Sequence, residues 1–587
     1  MKSFIKITLA SILGVILGLL LFMFLFIGII SSASKEKPVN VEENSILWAQ
    51  FKQPIVDRNP ESPFESFSPL SFTPESRIGL NAILDNLKKA AEDDNISGIF
   101  INAAVIPAGI STIGEIREGL LKFKESGKFI IAHADMYTQT AYYLASVADK
   151  VYLTPEGAMN WLGIGSEVMF FKRAMDKLGI DMQVIKEGEY KGAPEMFMYE
   201  KLSDDNRSQI KAYTGSIWDH LVKEIAGSRN LSVDSLNYLA DNLLVTNGDA
   251  ALQYKLIDGL KYYDEVLNEL KDLTETPEKD DLKAVSMKKY IKVPAVRKTK
   301  GLQKDKIAVV YASGSIVTGD NEGDMISSDI FGKAIRKARR DSTVKAIVLR
   351  VNSGGGSALA SEVILREVKL ASDVKPVIAS MGDVAASGGY YILAAADKVV
   401  ASPTTITGSI GVFGMIPNGR KFMNDKLGIT SDVVKTNKHS DFGSFFRPLD
   451  PNEAAVLRNE IGKIYKTFLT HVAEGRGMTT DEVDKIARGH VYSGDDARKI
   501  DLIDEFGGLT RAIELAASEA GIESYRIVNY PEAKDPFEMI MKQLSGDVKA
   551  KILKSELGED YRYYKQINEL KYFTGVQARM PFEIIIE

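Results

Sequence analysis

From Ile7 to Ala33 no position is charged, and Leu, Ile, Phe, Val and Gly fill most of the run. A helix crossing the hydrocarbon core needs about 20 apolar residues, whereas the apolar core of a secretory signal is only ~7–15. The pattern therefore predicts an uncleaved N-terminal anchor, with a long cleavable signal ending near Ser31–Ser34 as the other reading. Lys2 and Lys6 precede the run and Lys35 and Lys37 follow it, so charge encodes orientation poorly. We take the N-terminus as cytoplasmic and the body as lying outside.

Beyond residue 44 the pattern changes to short apolar, β-branched runs separated by helical stretches. Ile307–Tyr311, Ala346–Val351 and Pro376–Ser380 predict buried strands, and Ser328–Arg340 and Gly388–Ala396 predict helices. Ile96–Ile101, Phe129–Ala132 and Val151–Leu153 read as matching strands earlier in the chain. Strands alternating with helices imply βαβ units and a mainly parallel sheet.

The pattern also repeats. YYLASVADKVYLTP at Tyr142–Pro155 returns as YYILAAADKVVASP at Tyr390–Pro403. DKLGI occurs at Asp176–Ile180 and again at Asp425–Ile429, and Gly248–Leu260 is echoed by Gly494–Leu509. Ordered matches at a near-constant spacing of about 250 residues indicate an internal duplication. The expected organisation is an anchor and stalk over 1–44, a first repeat over 45–270 and a charged connector over 271–305. A second repeat over 306–529 and a helical C-terminal segment over 530–587 complete it.

Composition narrows the chemistry. With 73 basic and 79 acidic residues the net charge is −6, and no basic stripe suggests a nucleic-acid partner. There are no cysteines, which removes disulfides, cysteine nucleophiles and cysteine-ligated zinc together. The five histidines show no short metal-ligand spacing, and neither a metal nor another cofactor is expected.

Candidate chemistry lies where the two copies disagree. In Met381–Tyr391, MGDVAASGGYY, Ser387 stands between a strand and a helix start, where free N–H groups and the helix dipole favour negative charge. The same slot in the first copy is Gln139. The plainer reading of Ser387 is a helix N-cap. Asn352–Ser357, NSGGGS, follows a strand as a glycine-rich turn, suited to an oxyanion or to a simple tight turn. VIKEGEYKG at Val184–Gly192 aligns with VVKTNKHSD at Val433–Asp441, so that Lys191 takes the slot of Ser440. Taken alone, Lys191 would be a solvated surface charge. In Thr404–Gly414, Thr407 and Ser409 interrupt an apolar context, and Ser409 could hydrogen-bond a buried amine or sit in an ordinary turn.

In their order, NSGGGS, SMGDVAASGGYYI and TGSIGVFG, together with EGEYKGAPEMF in the first half, resemble signal peptide peptidase A in its long, duplicated form. The resemblance covers nearly all of the chain beyond the anchor. It implies an α/β protein of two tandem crotonase- and Clp-protease-like domains behind an N-terminal transmembrane helix. It further implies a Ser/Lys dyad with Ser387 as nucleophile and Lys191 as general base. Ser409 would position the lysine amine, and Gly355, Gly356 and Gly388 would form the oxyanion region. The family is similar in being a membrane-bound homotetramer that degrades cleaved signal peptides, which places this chain at the inner membrane with its body on the outer side. One departure is Gly354, where the family's turn carries proline.

A neutral Lys191 requires a closed, apolar site, because free lysine has a pKa of about 10.4. A Ser-His-Asp triad is disfavoured because no histidine lies between Ser387 and His439. A crotonase-type acyl-CoA enzyme and a non-catalytic membrane scaffold are the competing functional readings.

Overall fold

The computed structural model describes residues 39–59, 77–294, 303–532 except 322 and 324, and 576–580, with scattered positions before residue 19. The expected anchor, Ile7–Ala33, lies almost wholly outside the described residues. Among the described residues no helix is long and apolar enough to cross a membrane.

A parallel sheet in the first half and a mainly parallel sheet in the second carry the fold. In the first, the strands run in the order Gly259–Leu260, Lys150–Met159, Phe129–Tyr137, Ile96–Ile101, Ser45–Ala49 and Ala284–Ser286, all parallel. In the second, Lys306–Ser313, Val344–Ser353 and Val377–Ala386 form the parallel centre, and Arg526–Tyr530 adds an edge. The apolar runs read as strands are thus the sheet cores, buried on both faces as parallel strands require. Helix Ser328–Arg340 has the bounds that its apolar period marks out.

The stretch expected to be a charged connector also contributes a strand and buried side chains. Ala284–Ser286 pairs with Ser45–Ala49, and Val285, Met287 and Tyr290 are buried in the first core. Its many charges conceal three apolar anchors spaced too tightly to show a period. The expected helical C-terminal segment also needs correction where it is described. Val576–Arg579 is a strand, and its pairing partners lie far away in sequence, so no local pattern marks it. Residues 533–575 lie outside the described residues.

A third sheet joins the halves. Its order is Met325–Ser327, Ser315–Val317, Gly355–Ser357, Val576–Arg579, Phe413–Asn418 and Asp181–Lys186. Asp181–Lys186 comes from the first half and pairs antiparallel with Phe413–Asn418 of the second. A buried ionic cluster adds to this junction. Arg350 Nε donates to Asp57 Oδ1 at 2.8 Å and its Nη2 to Glu115 Oε1 at 2.6 Å, with all three side chains buried. Burial works against the charge of Arg350, but Glu115 and Asp57 outweigh it and hold its pKa above the usual range.

Candidate active site

Ser387 follows strand Val377–Ala386 and precedes helix Gly388–Leu393. Its backbone is at φ 55°, ψ −117°, a left-handed region that a side chain rarely adopts. Its side chain makes no capping bond, so the plain N-cap reading does not hold. The position is locked by the main chain on both sides. Ser387 N–H donates to Gly408 O at 2.8 Å, and Ser387 O accepts from Tyr391 N–H at 2.8 Å.

Strand Ile406–Gly408 lies parallel to the end of Val377–Ala386, with Ala386 opposite Gly408. Thr407 Oγ1 donates to Ala385 O at 2.7 Å and strengthens that pairing. Ser409 follows, also at positive φ (49°), and donates its N–H to His490 O at 2.6 Å. The turn thereby presents both the carbonyl and the hydroxyl of Ser409 to the same point.

Lys191 arrives at that point from the first half. The antiparallel pairing of Asp181–Lys186 with Phe413–Asn418 carries the following loop across the boundary. Tyr190 N–H donates to Arg488 O at 3.1 Å, and Glu187 N–H to Val412 O at 3.0 Å. Gly489, at φ 82°, packs its Cα side against the Lys191 backbone, where a Cβ would lie 2.6 Å from Lys191 N. Lys191 is fully buried. Its Nζ lies 2.7 Å from Ser387 Oγ, 2.9 Å from Ser409 O and 3.0 Å from Ser409 Oγ.

Burial holds the Lys191 amine well below the ordinary lysine range, and no carboxylate offsets it. Hydrogen-bond bookkeeping then assigns each contact. A neutral amine has two N–H donors and one lone pair. Ser409 O can only accept, and Ser409 Oγ can accept the second N–H. The lone pair is left facing the Ser387 hydroxyl.

The glycine turn borders the same site. Gly355 is at φ 97°, and its N–H donates to Ser353 Oγ at 3.1 Å. Ser353 Oγ in turn donates to Gly314 O at 2.6 Å. Gly355 abuts the helix start, since a Cβ there would lie 2.6 Å from Gly388 N. Gly388 is the first helical residue, a position whose N–H has no partner within the helix. Gly356 is one step further along the strand, opposite Ile316 on one side and Ala578 on the other. Gly354 does not have positive φ, and a Cβ would meet Met580 only at 3.6 Å, so the missing proline reflects no steric demand for glycine.

Strand Val576–Arg579 lies in the slot between Gly355–Ser357 and Phe413–Gly414, antiparallel to both. Met580 N–H donates to Gly354 O at 2.7 Å. The Ala578 carbonyl lies against Gly355 and Gly388. The site therefore accommodates an extended strand of peptide.

No histidine ring hydrogen-bonds Ser387 among the described residues. The His490 ring packs between Tyr190 and Tyr492 at centroid distances of 4.5 and 4.3 Å. His439, Asp450 and Glu453 bring potential metal-ligand atoms within 4.8 Å of one another. There, however, the Arg447 guanidinium already takes both Glu453 oxygens at 2.7 Å. Ser440, the counterpart of Lys191 by alignment, sits in an exposed turn bonded to Asn437.

Residues that the sequence did not single out also shape the site. Asn352 Nδ2 donates to Asp57 Oδ2 at 3.1 Å, and Asn352 Oδ1 accepts from Val384 N–H at 3.2 Å. A first-half aspartate thus braces both the glycine turn and the strand leading to Ser387. Arg350 was the available signal, a charge inside the apolar strand run AIVLRV that burial obliges to find partners.

Residues 122–276 and again 369–523 match the model of peptidase family S49, the duplication appearing as two matches in one chain. Protease 4 of Salmonella typhi is 35% identical over 80% of this chain and 76% of its own length. The chloroplastic serine protease SPPA of Arabidopsis thaliana is 33% identical over 86% of this chain and 74% of its own. Protease 4 of Haemophilus influenzae is 34% identical over 73% and 71%.

Proposed function

Since this chain belongs to peptidase family S49 and is a serine peptidase, we propose that Ser387 is its nucleophile and Lys191 its general base. One observation carries the assignment: a fully buried lysine without a counter-ion lies 2.7 Å from a serine hydroxyl held at a strained helix start. The neutral Lys191 amine takes the Ser387 proton as Oγ bonds to the scissile carbonyl carbon. Ser409 keeps the amine aimed by accepting its two N–H groups. The carbonyl oxygen becomes an oxyanion at the free N–H of Gly388, beside the Gly355 turn and near the place of the Ala578 carbonyl. Lys191 then returns the proton to the leaving amine, and the C–N bond breaks. In the second step Lys191 deprotonates water, which hydrolyses the acyl-Ser387 ester and restores the serine.

The substrates of this reading are cleaved signal peptides and other short, apolar peptides bound in extended form. The strand slot supports a peptide held through its main chain, as in strand addition to a sheet edge. A substrate must displace residues 576–580 to enter. The uncharged run Ile7–Ala33 supports a single-pass anchor in the cytoplasmic membrane, with the body on its outer face. Each half would have a crotonase- and Clp-protease-like fold, and the working assembly would be a homotetramer.

The test is hydrolysis of an apolar signal-like peptide by the anchor-bearing protein in detergent, beside Ser387→Ala and Lys191→Ala proteins of matched folding. Both variants should lose about 10⁴-fold or more in kcat. Full activity in Lys191→Ala would refute the dyad.

A further inference from the structure

Helix Asp204–Arg229 of the first half buries a glutamine, Gln209, at the boundary with the second. Its Nε2 donates to Tyr190 O at 2.8 Å and also to Asn206 Oδ1. Its Oε1 accepts from Val491 N–H at 2.9 Å. One side chain thus grips two main chains from different halves. Tyr190 is the residue before Lys191. Val491 follows His490, whose carbonyl accepts the Ser409 N–H, and Val491 stands opposite Gly408, whose carbonyl accepts the Ser387 N–H. Short main-chain links therefore tie this amide to the proposed site: Lys191 by one peptide unit, Ser409 by one peptide unit and a hydrogen bond, and Ser387 by one strand pairing and a hydrogen bond.

We propose that Gln209 is a positioning residue for Lys191, fixing the lysine loop against the strand that backs Ser387 and Ser409. The inference rests on the Ser387–Lys191 reading above. A buried amide suits the task because it donates to the lysine loop and accepts from strand Val491–Ser493, and neither a carboxylate nor an aliphatic chain does both. Beside this clamp, the loop is held by main-chain bonds to Arg488 and Val412, by Lys186 Nζ donating to Glu189 O at 3.3 Å and to Lys191 O at 3.4 Å, and by ion pairs. Those pairs are Lys186 with Glu195 and Glu189 with Arg488, each at 3.3 Å, and Arg488 also meets Asp484 at 3.0 Å. Glu187, Tyr190, His490 and Tyr492 are further titratable groups beside the loop, Asp496 acts on His490, and Asp204, Asp205, Arg207, Lys211 and Tyr213 lie along the same stretch of helix as Gln209. Losing the clamp should let the loop drift and water reach the amine.

Ser216 supplies an internal control. It lies on the same helix and bonds Ser493 Oγ of the same partner strand at 2.7 Å, yet it has no link to the lysine loop. The experiment compares Gln209→Met, Gln209→Glu, Ser216→Ala and Lys191→Ala with the parent chain. It measures kcat and KM on an apolar peptide across pH, with thermal unfolding to establish folding. Gln209→Met should lower kcat by about tenfold to a hundredfold while KM moves within about twofold. The acid limb of its kcat profile should shift to higher pH, because a hydrated lysine regains its proton more readily. Ser216→Ala should lower the unfolding temperature and leave the limb in place. If Gln209→Met does not fold, Gln209→Glu, which keeps the shape and loses the donor, carries the same expectation. Parental kcat and an unmoved acid limb in a folded Gln209 variant, with Lys191→Ala inactive, would overturn the positioning role alone. An active Lys191→Ala would bring down the dyad and this inference together.

Discussion

The two copies of the repeat build the same strand–helix junction in opposite ways. In the first, Thr138 sits at φ −70°, ψ 160°, and its hydroxyl accepts the Ala141 N–H. Gln139 then begins the helix, and its amide is spent on Leu162 N, Gly163 N and Gly163 O. In the second, Ser387 fills the slot of Gln139, takes positive φ and leaves its hydroxyl out of the cap. The first copy obeys the local rules of helix initiation, and the second breaks two of them at one residue. Strain disfavours folding by about 1–3 kcal/mol and an unmade cap by about 0.5–2 kcal/mol, and they persist where surrounding structure over-determines them. Here the surrounding structure is the bond to Gly408, the turn to Tyr391 and the lysine arriving from the other copy.

The comparison implies that activity and stability are opposed at the second junction, and Lys191→Met should expose this most strongly. Activity should fall by about 10⁴-fold or more, while thermal stability at neutral pH rises. The sign follows from linkage. The folded-state pKa of Lys191 lies below its unfolded value of about 10.4, so the unfolded chain binds more protons between those values. Stability of the parent chain is therefore reduced at neutral pH and rises as pH climbs toward the unfolded pKa. The methionine variant lacks this contribution, and its advantage should shrink in alkaline melts. Equal melting temperatures at neutral pH would contradict a neutral, desolvated lysine.

Much of this arrangement was legible in the sequence, and the limit has a physical cause. Helix Ser328–Arg340 and strand Ile96–Ile101 could be read because one buried face imposes a period on neighbouring residues. Ser387 and Lys191 could be singled out because duplicated positions differ. Their meeting depends on the pairing of Asp181–Lys186 with Phe413–Asn418, which leaves no periodic trace. Gln209, Asp57 and strand Val576–Arg579 are likewise defined by distant partners. Arg350 did leave a trace, as a charge in an apolar strand, but the strand alone does not name the carboxylates that meet it.

Those carboxylates make the next prediction. Asp57 and Glu115 belong to the first half and Arg350 to the second, so the cluster ties together the copies that share one site. Arg350→Ala would leave two buried carboxylates without their cation and should destabilise the protein by about 3–5 kcal/mol. Chemical denaturation should show this, with a loss of peptidase activity that follows the folded fraction. A loss below about 1 kcal/mol would mean that water already reaches the cluster.

The first junction offers the complementary test. Gln139→Ser installs the proposed nucleophile's residue type in the first copy without its setting. Thr138 already caps the helix, and the lysine opposite is committed to Ser387. The change should add no activity to a Ser387→Ala background. It should also cost about 1–2 kcal/mol, because the Leu162 and Gly163 N–H groups lose the amide oxygen that they share. Rescued hydrolysis would show that a serine at a helix start suffices for catalysis. A stable, inactive double variant would locate the chemistry in what the second copy adds: a backbone forced to positive φ, and an amine, delivered by the first copy, that has no other partner for its lone pair.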